Sequence, residues 1–327
     1  MPSETKILPH STKSIKRCAE LLGKDELVAV PTETVYGLAG NALSESAVRK
    51  IFQVKGRPLI DPLITHFRDA ESAFEHVEAS EPARRLAEAF WPGPLTLVLP
   101  KQATIPDLVT AGLDTAAIRV PAHPTLHALL QELPFPVAAP SANPFSYVSP
   151  TKPEHVEATL GPMIGAILDG GPSEHGLEST VLDLRNPAQA SILRAGPITE
   201  DDLLRKTGII AKNTNLEHPC AAPQASPGLL SKHYSPHAPI TILAHGTQVT
   251  RAVKQQYALI LNCKPQGRAA DNTFWLSEDG SLVDIARNFF DLIQRLDRAG
   301  YKRLLIEAAP EKGIGIALND RLKRAAS

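Results

Sequence analysis

Apolar positions along the chain switch repeatedly between helical and strand spacing. Ile15, Cys18, Ala19 and Leu22 recur at helical intervals over residues 14–22, and Gly23 is placed to stop that helix. Leu27-Val-Ala-Val30 is a short unbroken apolar run, the pattern of a buried strand. Ser44 is placed to cap a helix whose buried face is Ala47, Val48, Ile51 and Phe52, ending near Val54. Pro62-Leu-Ile-Thr-His66 reads as a strand closed by a histidine. A helix over 82–90 is broken by Trp91-Pro-Gly-Pro94, and strands follow at 95–99 and 115–120. A helix at 124–133 leads to a strand at 137–139, with further strands predicted at 164–168, 179–184 and 191–194. A short helix at 199–206 ends at Gly208.

From Ala211 to Pro239 the periodicity vanishes and Asn, Pro, Ser and His accumulate. Alternation then resumes with strands at 240–243, 257–261 and 304–306. The clearest helix spans 281–298, with Leu282, Ile285, Ala286, Phe289, Phe290, Ile293 and Leu296 on one face. A last helix from Ile316 reads as having a basic outer side. This predicts two α/β domains, 1–210 and 240–327, joined by a linker at 211–239, the second domain with a largely parallel sheet. A chain of 327 residues also exceeds a typical single core.

Composition changes this picture little. The chain is 43% apolar and 21% charged, ordinary for a globular protein, and no apolar run approaches the roughly 18 residues of a membrane span. Cys18, Cys220 and Cys263 are odd in number and widely spaced, which fits neither a disulfide framework nor a zinc site. With no secretory signal pattern at the start, free thiols and a cytoplasmic location are expected. The net charge of −1 excludes a simple polycationic nucleic-acid binder. Lys and Arg number 20 against 25 Asp and Glu up to Lys212, and 14 against 10 after it, which permits a local basic groove without predicting one.

Candidate chemistry gathers at strand ends. Pro31-Thr-Glu-Thr-Val-Tyr-Gly-Leu38 follows a strand and carries hydroxyls and a carboxylate. Lys55 and Arg57 stand two apart before Pro58; in an extended segment both would face one anionic group, while a solvated turn after a helix fits the same spacing. Ser141 and Asn143 suit phosphate oxygens or an ordinary capped turn between prolines. Arg119 interrupts an apolar strand, which calls for an anion, either a ligand or a buried carboxylate. His66, Glu178-Ser-Thr180 and Arg194 also sit at strand ends, where α/β proteins often bind ligands. The phosphate-binding glycine loops and the Gly-x-Ser-x-Gly elbow are absent, so a bound nucleotide would be held by another route.

Taken in order, Pro31–Leu38, Lys55-Gly-Arg-Pro58, Pro62–His66, Trp91–Thr96, Ala138-Ala-Pro-Ser-Ala-Asn143, Ser149-Pro-Thr151 and Leu177-Glu-Ser-Thr180 closely resemble the YrdC-like family. The run ending His233-Tyr234-Ser-Pro236 and the trailing α/β domain resemble its long form, the threonylcarbamoyl-AMP synthases with an added C-terminal domain. The resemblance implies a twisted α/β domain with a concave active-site surface, a small Rossmann-like C-terminal domain, and a linker that covers the site. It implies condensation of L-threonine, bicarbonate and ATP, with Mg²⁺, into threonylcarbamoyl-adenylate and pyrophosphate. A separate transferase would then deliver the group to tRNA position 37.

Carried over by position, Thr34, His66, Arg119, Ala139 and Ser179 match the threonine pocket, with Arg119 on the carboxylate. Lys55, Arg57, Asp61, Thr115, Ser141, Asn143, Ser149, Arg194 and Tyr234 match nucleotide positions, and Lys55 and Arg57 would stabilise charge in the transition state. Three departures stand out: Asp61 where the family usually has Asn, Ala195 where it has Pro, and Leu229-Leu-Ser231 in the linker. The alternative reading is a non-catalytic module that binds double-stranded RNA or tRNA on the same concave surface.

Overall fold

The computed structural model describes residues 7–214, 233–247 and 253–327. The first of these segments holds β1 (Ile7–Leu8), α1 (Thr12–Leu22), β2 (Val28–Val30), β3 (Gly37–Asn41), α2 (Glu45–Lys55), β4 (Ile64–His66), α3 (Ala70–Phe74) and α4 (Glu81–Phe90). It continues with β5 (Leu95–Pro100), β6 (Thr115–Arg119), α5 (Pro124–Gln131), β7 (Val137–Ala138), α6 (Pro153–Leu160), β8 (Ala166–Leu168), β9 (Thr180–Asp183), β10 (Ser191–Arg194), α7 (Glu200–Thr207) and β11 (Lys212–Asn213). Among the described residues these strands form one mixed sheet in the order β1-β8-β2-β3-β7-β4-β6-β5-β9-β10-β11. Helix starts follow local chemistry: Ser11 and Ser44 accept from backbone N–H groups of the first turns of α1 and α2, and Thr199 forms a capping box with Asp202 on α7.

The rest of the chain holds β12 (Ile240–Leu243), β13 (Tyr257–Cys263), β14 (Thr273–Ser277), α8 (Leu282–Arg298), β15 (Arg303–Glu307) and α9 (Ile314–Ala325). The four strands among the described residues there are all parallel, in the order β12-β15-β13-β14. The predicted face of α8 is buried here through Ile285, Ala286, Phe289, Phe290, Ile293 and Leu296. That core is shared: Val35, Val148 and Leu177 of the first domain pack into the same cluster.

Several elements have no counterpart in the predicted set, β3, α6 and β14 among them. β3 reads Gly-Leu-Ala-Gly-Asn, poor in β-formers, and is held by antiparallel pairing to β2 on one side and β7 on the other. α6 begins Pro-Glu-His and lasts eight residues. β14 is an edge strand with only two buried residues. Lys55 is not in an extended segment but is the last residue of α2, followed by Gly56 in the left-handed region at φ 64°. The geometry expected for the Lys-x-Arg pair is therefore replaced by a helix C-cap, and the two side chains leave the backbone differently.

The two sheets meet through polar contacts as well as the shared core. The Gln294 amide donates to Ser149 O at 2.9 Å, Tyr147 Oη to Asp297 at 2.8 Å, and Lys152 and His155 both reach Asp291, at 2.9 and 3.1 Å. Gly176 sits at φ 69°, and a Cβ there would lie 2.6 Å from Ala286 O and the Arg287 backbone. Gly176→Ala is therefore expected to lose about 2–4 kcal/mol, combining left-handed strain with overpacking. Thermal or urea unfolding checks this, and an unchanged midpoint would contradict the close approach.

Candidate active site

The strand ends that position the site converge because of the sheet order. β4 and β6 are parallel neighbours with His66 opposite Arg119, so both side chains leave the same end of the sheet. The loop after β2, which carries Thr32 and Thr34, lies beside them. The antiparallel pair β9–β10 brings Arg194 opposite Val181, next to Ser179. The loop after β7 supplies Ala139 to Ser141. Together these line a cleft of about 530 Å³, counted to its open mouth, whose walls include Thr32, Thr34, Arg57, His66, Arg119, Ala139, Ser141, Glu178, Ser179, Arg194, His233 and Tyr234.

Each cation in and around the cleft has a defined setting. Arg119 Nε donates to Gly93 O at 3.1 Å, one terminal nitrogen to Thr34 Oγ1 at 3.1 Å, and the other to Glu33 Oε1 at 2.6 Å. Three of its five N–H groups are used, which leaves two for a carboxylate. Arg57 donates to Asp61 O and Pro62 O and pairs with the Asp61 carboxylate at 2.9 Å. Lys55 Nζ donates to Ser141 O and Asn143 O, at 2.5 and 2.6 Å. Arg194 donates to Ser179 O and Oγ, at 3.1 and 3.0 Å, and Ser179 Oγ also meets Thr96 Oγ1 at 2.8 Å. The Thr32 hydroxyl bridges Thr34 Oγ1 and Val35 O, which fixes the loop.

Burial and neighbouring charge set the ionisation of the site. Burial followed by the Arg119 charge pushes the His66 imidazole down to about 3, so it stands neutral at physiological pH. Burial followed by the Arg57 charge drives the Lys55 ammonium well below its ordinary value, while Asp61 pulls the other way. Burial, then the charges of Arg57, Lys55, Arg321 and Arg194, depress His233 well below its usual value. Burial would raise Glu33 and Glu178, but Arg119 holds the first below the usual carboxylate range, and Arg321 and Arg194 hold the second there.

Among the described residues, four buried arginines, Arg57, Arg119, Arg194 and Arg321, and the Lys55 amine surround the cleft against three buried carboxylates, Glu33, Asp61 and Glu178, with half-buried Asp320 shared between Arg321 and Arg324. The balance is positive in a place of low dielectric, where an anion is strongly favoured. Three residues lining the cleft carry a buried polar atom with no protein partner: His66 Nδ1, His233 Nδ1 and Tyr234 Oη. Unpaired buried polar atoms are costly, and their concentration here marks a polar ligand site. Among the described residues there is no group of three or more His, Cys, Asp or Glu side chains arranged to hold a metal. No helix of the described residues is long and apolar enough to cross a membrane.

Of the candidates read from sequence, Thr34, Arg57, His66, Arg119, Ala139, Ser141, Ser179, Arg194 and Tyr234 line the cleft. Lys55 lies behind the Ser141–Asn143 loop and holds it by its carbonyls. Asp61 is wholly buried as the counter-ion of Arg57, which accounts for a carboxylate at that position. Asn143 donates to Pro144 O and Tyr147 O, Ser149 donates to Glu178, and Thr115 opens β6 opposite Pro100; none of these three lines the cleft. Of the linker, residues 215–232 lie outside the described residues, Cys220 and Leu229-Leu-Ser231 among them.

Sequence reasoning missed Glu33 as the partner of Arg119, Thr32 as the pin of the loop, and Arg321 altogether. The last helix does not turn all its basic residues outward, because Arg321 is fully buried. A signal was present: Leu318, Arg321 and Ala325 follow helical spacing, so Arg321 falls within the apolar face.

Comparison with known proteins fits this geometry. A family model described as "Telomere recombination", Sua5_yciO_yrdC, matches residues 20–196, and one described as "Threonylcarbamoyl-AMP synthase, C-terminal domain" matches residues 198–327. The threonylcarbamoyl-AMP synthase of Pyrococcus abyssi is 38% identical over 327 residues, covering 95% of this chain and 93% of the relative. That of Bacillus subtilis is 38% identical over 330 residues, covering 98% and 94%. The crystal structure of P. abyssi Sua5 complexed with L-threonine superposes with a TM-score of 0.89 at 36% identity, covering 98% of each chain.

Proposed function

The chain belongs to the Sua5/YrdC family of threonylcarbamoyl-AMP synthases, and from that membership we propose that its cleft joins L-threonine, bicarbonate and ATP into L-threonylcarbamoyl-adenylate with release of pyrophosphate. The enzyme is an adenylyl transferase of tRNA modification. Its product would pass to a separate transferase acting at tRNA position 37. The observation that carries the reading is a single cleft with a positive balance, lined by Arg119 at one wall and by Arg57 and Arg194 at others.

Threonine sits at the Arg119 wall. Its carboxylate takes the two remaining N–H groups of Arg119, among Thr34, His66, Ala139 and Ser179. The triphosphate lies toward Arg57, Ser141, Arg194 and Tyr234. Asp61 positions Arg57, while Lys55 and Asn143 shape the Ser141 loop from behind. Ser149 acts through Glu178. Mg²⁺ would arrive with ATP, since phosphate oxygens and water suit it and the described residues hold no group of three or more ligating side chains. Bound there, it would neutralise charge between neighbouring phosphates.

The chemistry balances without an acid or base from the protein at the adenylation step. The neutral threonine amine attacks bicarbonate, and loss of water gives the carbamate. A carbamate oxygen attacks the α-phosphorus, the bond to the β-phosphate bridging oxygen breaks, and pyrophosphate leaves. Arg57 and Arg194 stabilise the phosphate charge, and His66, neutral, orients without donating a charge. The carbamate is unstable in water, so closure by His233 and Tyr234, both buried against the cleft, protects it.

A non-catalytic RNA-binding role fits less well. Duplex RNA requires exposed cations that release counterions, whereas the four arginines and Lys55 here are all buried. Purified protein is expected to release pyrophosphate from ATP only when threonine and bicarbonate are both supplied. Equal release without threonine would refute the reaction.

A further inference from the structure

Arg321 is the largest side chain fully enclosed among the described residues, and it belongs to α9 of the C-terminal domain. Its contacts reach into the other domain. Nε donates to Glu178 Oε2 at 2.9 Å and one terminal nitrogen to Ala195 O at 2.9 Å; the other pairs with neighbouring Asp320 at 2.7 Å. The guanidinium carbon lies 5.3 Å from the centre of the Tyr234 ring, which also stacks on Phe290 of α8 at 5.5 Å and meets His233 edge-on at 4.0 Å. The second oxygen of Glu178 accepts from Ser149 Oγ at 2.5 Å. Arg321 thus touches Glu178 and Tyr234 directly, Ser149 through Glu178, and the backbone next to Arg194. It bonds to none of Thr34, His66, Arg119 or Ala139.

Glu178 lines a cleft assigned to an anionic ligand. A carboxylate there repels phosphate unless its charge is matched. Arg321 matches it from behind and holds both oxygens toward Ser149 and itself. Without Arg321 the carboxylate would be left buried among the remaining cations and would compete with phosphate for Arg194. We infer that Arg321 is a positioning residue for the nucleotide half of the cleft, through which the C-terminal domain tunes ATP binding. The inference rests on the assignment of that half to ATP.

A simple domain-docking role makes a different prediction: affinities for both substrates would fall together, or neither would. The test compares full-length wild type with Arg321→Met, Arg321→Lys and the pair Arg321→Met with Glu178→Gln. Wild type must first release pyrophosphate in a threonine- and bicarbonate-dependent manner; failure at that point refutes the reaction, not the positioning role. Arg321→Met is expected to raise the KM for ATP about tenfold or more and to leave the KM for threonine within about twofold, the scale of loss when one member of a buried charge pair is removed. Arg321→Lys, which keeps a cation beside Glu178, should recover part of the loss. The double variant should recover most of it by removing the unmatched charge, since Asp320 keeps Arg324 as a partner at 3.0 Å. If Arg321→Met fails to fold by circular dichroism, the same ratio of KM changes is read from Arg321→Lys. Parallel shifts in both KM values, or an unchanged KM for ATP in folded protein, would overturn the role.

Discussion

Arg57→Ala is expected to lower kcat about 10²-fold or more and to cost about 3–5 kcal/mol of stability. The two losses have different origins. The first removes a guanidinium from the wall assigned to the phosphates, where charge develops as pyrophosphate departs. The second leaves Asp61, wholly buried, without the cation it pairs with at 2.9 Å. Arg57→Met combined with Asp61→Asn separates them, because it removes the charge pair as a unit. This double variant should regain most of the stability in urea unfolding, while pre-steady-state pyrophosphate release stays about 10²-fold slow. Recovery of activity along with stability would show that Arg57 serves the fold alone, and that another cation meets the phosphates.

The difference between Arg57 and Lys55 shows where sequence reasoning succeeds and where it stops. The ordered motifs named the walls of the cleft, since strand ends in an α/β sheet converge whatever the loops do, and Thr34, His66, Arg119, Ser141, Ser179 and Arg194 all lie where that rule puts them. Direction was less legible. Lys55 and Arg57 are two apart in sequence, yet a helix C-cap at Gly56 sends one behind the Ser141 loop and the other into the wall. A one-dimensional pattern cannot carry a left-handed residue unless the glycine is read as a cap. Pairings across long separations were less visible still: Arg321 with Glu178 spans 143 positions and Arg119 with Glu33 spans 86. Only the fold reveals which carboxylate neutralises which arginine, and those pairs decide how much positive charge remains for a ligand. An element without strong β-formers, such as β3, exists because its neighbours supply hydrogen bonds, not because its own residues demand an extended chain.

Arg119→Met should weaken threonine binding about 10²-fold and reverse the pH dependence of one component of stability. In the wild type, burial alone would raise Glu33, but the charge and hydrogen bond of Arg119 win and hold it below its ordinary 4.5. A carboxylate depressed by folding stabilises the protein above 4.5, and that contribution is lost as pH falls through the depressed folded value. Without Arg119, burial, the largest effect, is opposed only by backbone hydrogen bonds at Glu33 and Ala122, so the folded value is expected to rise above 4.5. The contribution is then present below 4.5 and lost as pH increases through the raised value. His66 also titrates in this region, since burial and Arg119 hold it at about 3, so its share must be removed by comparison. The partner variant, Arg119→Met with Glu33→Gln, retains His66 and lacks the carboxylate. Urea unfolding from pH 4 to 7 should show Arg119→Met losing stability relative to this double variant as pH rises, while calorimetry finds threonine binding weak in both. If Arg119→Met and the double variant have parallel pH profiles, Glu33 is not the anion that Arg119 restrains. If the double variant binds threonine normally, the amino-acid carboxylate has another partner in the cleft.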